Sequence, residues 1–84
     1  MKEYIATFHT HLSAMITGKK LKENNIEFFL EPVPRKLSSS CGTCIRFTSY
    51  NCMEELMDRD CEAVYEVVHK QGSEVDYIMV LNIS

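Results

Sequence analysis

The stretch Glu31-Pro32-Val33-Pro34-Arg35-Lys36-Leu37-Ser38-Ser39-Ser40-Cys41-Gly42-Thr43-Cys44-Ile45-Arg46-Phe47 concentrates rigid, flexible, basic and thiol residues in one short segment. Pro32 and Pro34 fix φ and push Glu31 and Val33 into extended geometry, so the chain leaves a preceding strand stiffly. Ser38, Ser39 and Ser40 favour turns through local side-chain hydrogen bonds, and Gly42 reaches backbone angles that a Cβ would resist. Cys41 is therefore expected at a bend. Alternation resumes at 43–48, with Ile45 and Phe47 on one side and Cys44, Arg46 and Thr48 on the other, which predicts a strand.

Working outward, residues 3–8 are β-branched and aromatic at strand length and stop at His9 and Thr10. Leu12, Met15, Ile16 and Leu21 then fit one helical face, opposite Lys19, Lys20, Lys22 and Glu23. This predicts a helix over 11–24, with Thr10 as N-cap and Asn24-Asn25 as the stop. Gly18 inside it costs about 1 kcal/mol relative to alanine unless something packs closely against it. The apolar run 26–30 reads as a second strand buried on both faces. Beyond the loop, Asn51 is expected to cap a second helix through about residue 59, with Met53, Leu56 and Met57 inward and Glu54, Glu55 and Asp58 in water. The runs 63–69 and 75–82 flank Gln71-Gly72-Ser73-Glu74 as a closing hairpin.

The order β-α-β-β-α-β is the split βαβ pattern of an α+β, ferredoxin-like sandwich. It has an antiparallel sheet, two helices on one face and here an extra C-terminal strand. Right-handed crossovers would place the third strand between the first and second. The Cys41 loop would then lie near the start of the first helix, with His9 and His11 at the same end of the sheet.

At 84 residues, 1–84 reads as a single domain. A net charge of −3 disfavours nucleic acid as the main ligand. The N-terminus lacks a secretory h-region and no apolar run reaches membrane-spanning length, so a cytoplasmic protein with no membrane association is expected. In that compartment the four cysteines would be reduced, metal-bound or catalytic.

Reactive thiols need positive potential from a helix start or basic neighbours, and Cys41 has Arg35, Lys36 and Arg46 nearby in sequence. Arg35 and Arg46 are the expected anion stabilisers, with Pro32 and Pro34 holding the loop. Cys41-Gly42-Thr43-Cys44 is a CxxC pair, able to form a disulfide, supply half a metal site, or set a resolving thiol beside an attacking one. It runs into a strand rather than opening a helix, which weakens the thioredoxin analogy. Cys52 and Cys61 do not repeat the pair spacing of a zinc ribbon and read as small core residues, while His69 sits in a strand. No cofactor or metal is expected, and scattered carboxylates with no Gly-rich phosphate cradle give hydrolase chemistry no support.

Phe8-His9-Thr10, Ala14, Leu21-Lys22-Glu23, Ile26, Pro32-Val33-Pro34-Arg35, Ser38 to Ser40, Cys41-Gly42 and Ile45-Arg46 together resemble the selenium/sulfur carrier protein-like family, formerly a domain of unknown function. The resemblance covers roughly the first sixty residues. It implies a carrier, rather than a stand-alone enzyme, in which Cys41 holds sulfur or selenium as a persulfide or selenosulfide. A desulfurase-type donor would supply the chalcogen and a downstream acceptor would take it. The residues expected around the cargo are Pro34, Arg35, Ser40, Gly42, Arg46, His9 and Thr10, with Cys44 able to release it by disulfide formation. Gly18, Asn25 and Cys44 depart from the family pattern. The C-terminal hairpin, outside the strong resemblance, offers an edge strand for a homodimer. Two rivals stay open, a thiol-disulfide redox protein using Cys41 and Cys44 and a non-catalytic interaction module.

Overall fold

The computed structural model describes residues 1–83. Lys2–Phe8 forms strand β1 and His11–Glu23 helix α1; Phe28–Pro32 forms β2, Thr43–Ser49 β3, Cys61–His69 β4 and Val75–Asn82 β5. The strands make one sheet in the order β2-β3-β1-β4-β5, with each neighbouring pair antiparallel. β3 thus lies between β1 and β2, and α1 packs across these three strands.

This is a mostly β fold of one helix on a five-stranded antiparallel sheet, and not the two-helix ferredoxin-like sandwich expected from the sequence. The second helix is reduced to a single 3-10 turn at Glu54–Leu56. Asn51 Oδ1 does accept a hydrogen bond, but from Met53 N at 2.8 Å, and Met53 sits in the left-handed region at φ 53°. That closes a tight turn instead of opening a helix, and nine residues are too few to offset the cost of helix nucleation. Asp58 is also drawn away from water, accepting from Ser13 Oγ at 2.7 Å and donating its backbone N–H to Thr17 Oγ1 at 2.9 Å. The apolar residues of this segment still cover the sheet: Met57 is buried in the core and Met53 and Leu56 pack against it.

Helix α1 begins and ends on local chemistry. Thr10, extended at φ −133°, accepts from Ser13 N at 3.1 Å, as an N-cap should. At the other end Asn25 adopts φ 61°, Ile26 N donates to Leu21 O at 2.9 Å and Asn25 N to Lys22 O at 3.0 Å. These two bonds are a Schellman closure with asparagine in the usual glycine position.

The helix is turned differently from the sequence expectation. Ser13, Ala14, Thr17, Gly18 and Leu21 face the sheet, while Leu12, Met15 and Ile16 point to solvent. Small residues win the inner face because they let the helix approach closely. A Cβ on Gly18 would stand 2.8 Å from Phe28 Cε2, the close packing that offsets glycine's helix penalty.

Each face of the sheet has its own apolar cluster. Under α1 lie Tyr4, Ala6, Phe8, Ile45, Phe47, Cys61 and Val64, joined by Ala14 and Leu21. On the opposite face Ile5, Cys44 and Val67 are covered by Val33, Leu37, Val75 and Tyr77. β2 was expected to be buried on both faces, but as an edge strand paired only with β3 it leaves Phe29 and Leu30 exposed. The other edge, β5, exposes Ile78, Met79 and Val80. Among the described residues no helix is long and apolar enough to cross a membrane.

Candidate functional site: a clasped thiol loop

The loop from Val33 to Gly42 leaves and re-enters the sheet at adjacent points. Pro32 faces Thr43 in the β2–β3 register, and Val33 N donates to Gly42 O at 3.1 Å, clasping the loop at its base. Gly42 has φ +74° with nothing near a would-be Cβ, so the backbone angle, rather than crowding, calls for glycine there. Leu37 N to Pro34 O at 3.0 Å folds the first half into a turn, and Lys36 Nζ reaches Val75 O at 2.7 Å.

The second half turns toward the end of β1. The β1–β4 register shifts between Thr7 and Phe8, and Phe8 O accepts from Ser39 Oγ at 2.8 Å. Irregular pairing of this kind frees a carbonyl for the loop. Ser40 is held twice by Glu62 of β4, through its N–H at 3.3 Å and its hydroxyl at 2.9 Å. His9 Nδ1 joins them, 3.4 Å from Ser40 Oγ and 3.4 Å from Glu62 Oε2. Burial works against the Glu62 charge, but the hydrogen bonds from Ser40 and Ser39 and the nearby His9 outweigh it and hold the carboxyl below its ordinary range.

Cys41 follows directly. It is half-buried against the helix-side cluster, its thiol donates to Thr43 O at 3.3 Å, and Ser39 Oγ lies 4.0 Å from its sulfur. The loop therefore presents Cys41 at the end of β1, where Thr10 starts α1.

Cys44 goes elsewhere. It is fully buried in the opposite cluster beneath Val33 and Leu37, donating to Pro32 O at 3.7 Å. Burial, reinforced by Glu31, pushes its thiol up to about 11. Alternation along β3 is the cause: Ile45 and Phe47 face the helix, so Cys44 and Arg46 must face away. Arg46 donates to Glu31 at 2.9 Å and also to Glu3, which in turn binds His69 at 2.9 Å. Burial disfavours the guanidinium charge, but these two carboxylates more than compensate and raise its pKa.

The structure thus brings together Cys41, Gly42, Ser40, His9 and Thr10. Pro34 shapes the first turn of the loop, and Arg35 is exposed beside it. Arg46 is committed to Glu3 and Glu31, and Cys44 lies on the other face. Of the remaining thiols, Cys61 is buried and pushed up to about 12 by desolvation, and Cys52 packs against the helix-side core. Sequence reading missed Ser39's contact with Phe8 and the whole role of Glu62. Only the antiparallel register of β1 and β4, which sets the start of one against the end of the other, reveals them.

Residues 3–80 match the family model described as "Putative Se/S carrier protein-like". The chain belongs to this family. The match runs through β4 and into β5, well beyond the stretch whose motifs carry the resemblance. A curated relative, the "Uncharacterized protein YtiA" of Escherichia coli (strain K12), is 35% identical over 48 residues, which is 57% of this chain and 56% of the relative. The alignment thus spans little more than half the length of that relative. No solved structure matches.

Proposed function

We propose that this family member carries sulfane sulfur, or its selenium counterpart, on Cys41. Support comes from the family and from one observation above all: the two cysteines of the CxxC pair occupy opposite faces of the sheet. A dithiol redox couple needs both sulfurs to meet, which here means turning β3 over or unpairing its start. A carrier needs one presented thiol in a held loop, and Cys41 is such a thiol.

The step is a transfer without net oxidation. The Cys41 sulfur attacks the terminal sulfur of a donor persulfide, a new S–S bond forms, and the donor's S–S bond breaks. The electron pair of the broken bond leaves on the donor sulfur, which takes up the proton that Cys41 gives up. Cys41 then bears the terminal sulfur, and attack by an acceptor thiol repeats the exchange in the forward direction. Ser39, Ser40 and Glu62 fix the backbone through which the sulfur is offered.

Reduced protein and its Cys41→Ser and Cys44→Ser variants should be incubated with glutathione persulfide and weighed intact, with the adduct mapped by peptide mass. Gain of one sulfur on Cys41, retained in Cys44→Ser and lost in Cys41→Ser, is expected. An adduct that requires Cys44, or a Cys41–Cys44 disulfide as the main product, would overturn the carrier reading.

A further inference from the structure

The outer face of α1 is unusual for a small domain. Leu12, Met15 and Ile16 are 66%, 53% and 37% exposed, and their spacing places them side by side with Lys19. Single exposed aliphatics need no explanation, but three contiguous ones beside a reactive loop do. Nor could a small rotation bury them. The opposite face is pinned by Gly18 against the Phe28 ring and by the Ser13 and Thr17 hydroxyls on Asp58.

Position and charge indicate what covers this face. His9, three residues before Leu12, stands 3.4 Å from Ser40 Oγ and Thr10 caps the helix, so the apolar face begins where the thiol loop meets the start of α1. The first turn carries no acid, while Lys19, Lys20 and Lys22 follow in a chain whose net charge is −3. Lys19 and Lys22 are exposed, and among the described residues neither makes an ion pair.

Building on the carrier reading, we propose that Leu12, Met15 and Ile16, continued by Lys19 and Lys22, form the docking surface for a sulfur-donating protein. That partner presents an apolar patch edged by carboxylates and a persulfide placed to meet Cys41. Apolar contact supplies most of the binding, and the lysines set orientation and association rate.

The test compares two donors. Wild type, the triple variant Leu12→Ser/Met15→Ser/Ile16→Ser and the double variant Lys19→Glu/Lys22→Glu receive sulfur either from a purified cysteine desulfurase carrying its own persulfide or from glutathione persulfide. All substituted residues are exposed, and thermal melts check that the variants fold. Transfer from the desulfurase should fall at least about tenfold in both variants, with loading by glutathione persulfide unchanged. Unchanged desulfurase transfer, equal losses with both donors, or a wild type loaded by glutathione persulfide but not by the desulfurase would overturn the docking surface and leave the carrier reading standing. Failure of Cys41 to load from either donor would instead remove the carrier reading. Two further outcomes would reassign the face while desulfurase transfer stays intact: loss in the variants of binding to phosphatidylglycerol vesicles, or loss of a wild-type dimer in sedimentation.

Discussion

Cys41 and Cys44 stand three positions apart in the chain, yet the sheet divides them. On the helix side, Cys41 sits in a loop whose neighbours are tied to β1 and β4 by Ser39 and Ser40, and part of its surface meets solvent. On the far side, Cys44 is fully buried under Val33 and Leu37 beside the Arg46, Glu3 and Glu31 cluster. The difference teaches that a CxxC spacing has no fixed meaning outside a helix. Where the second cysteine enters a strand, the pleat decides which face it takes, and the apolar pattern of Ile45 and Phe47 has already chosen.

The strongest challenge to this comparison is direct labelling. With its thiol pushed from 9.0 to about 11, Cys44 offers about a hundredfold less thiolate at neutral pH than an ordinary thiol. In iodoacetamide labelling of the native protein followed by peptide mass analysis, Cys44 should react at least about a hundredfold more slowly than free cysteine added as a standard. Cys41 should take the label first. Equal labelling of the two would mean that β3 opens readily, and the two-face description would fail.

A reciprocal pair of substitutions sharpens the picture at a smaller scale. Arg46→Ala takes the shared guanidinium from Glu31 and leaves Glu3 only its bond to His69, and should cost about 1–2 kcal/mol in urea unfolding, with little change in Cys41 labelling. Glu62→Ala removes both hydrogen bonds to Ser40 and should loosen the loop, speeding Cys41 alkylation about fivefold, the equivalent of about 1 kcal/mol. If Arg46→Ala moved Cys41 as much as Glu62→Ala does, the faces would be coupled.

The smallest effect is in acid. Glu3 and Glu62 both titrate below the ordinary 4.5 in the folded protein, Glu3 because its bonds to His69 and Arg46 outweigh its burial. A depressed folded value means that their stabilisation is complete above the unfolded pKa and is lost as pH falls through the folded one. Unfolding free energy should therefore hold steady above about pH 5 and decline below about pH 4.5. Glu3→Gln and Glu62→Gln should each flatten that decline, and comparing them shows which face releases first. A decline unaltered by both would assign acid sensitivity elsewhere.

Much of the chain could be read from local chemistry. Thr10 as a cap, Asn24-Asn25 as a stop, the hairpin around Gly72 and the two sides of β3 all depend on neighbours within a few residues. What could not be read depends on partners far along the chain. The helix face was expected to follow its largest apolar residues, but Phe28 and Asp58 reward the small ones, Gly18, Ser13 and Thr17. The second helix fails because Met53 turns left-handed and Asp58 is claimed by α1. At the site, Cys41, Ser40 and His9 were visible as residue types in suggestive places, whereas Glu62 was an ordinary strand carboxylate until the register set it against Ser40.

The bond between Val33 and Gly42 closes the loop on itself before the sheet resumes. From the sheet's side, the ten positions from 33 to 42 are an insert between two paired strands, and their number does not set the register of β2 on β3. Drift in that insert, in length or in composition, is therefore cheap for the framework so long as the clasp and the seal over Cys44 by Val33 and Leu37 survive. Relatives could exchange such loops, and a designer could graft one, altering what the thiol meets without renegotiating the fold that carries it.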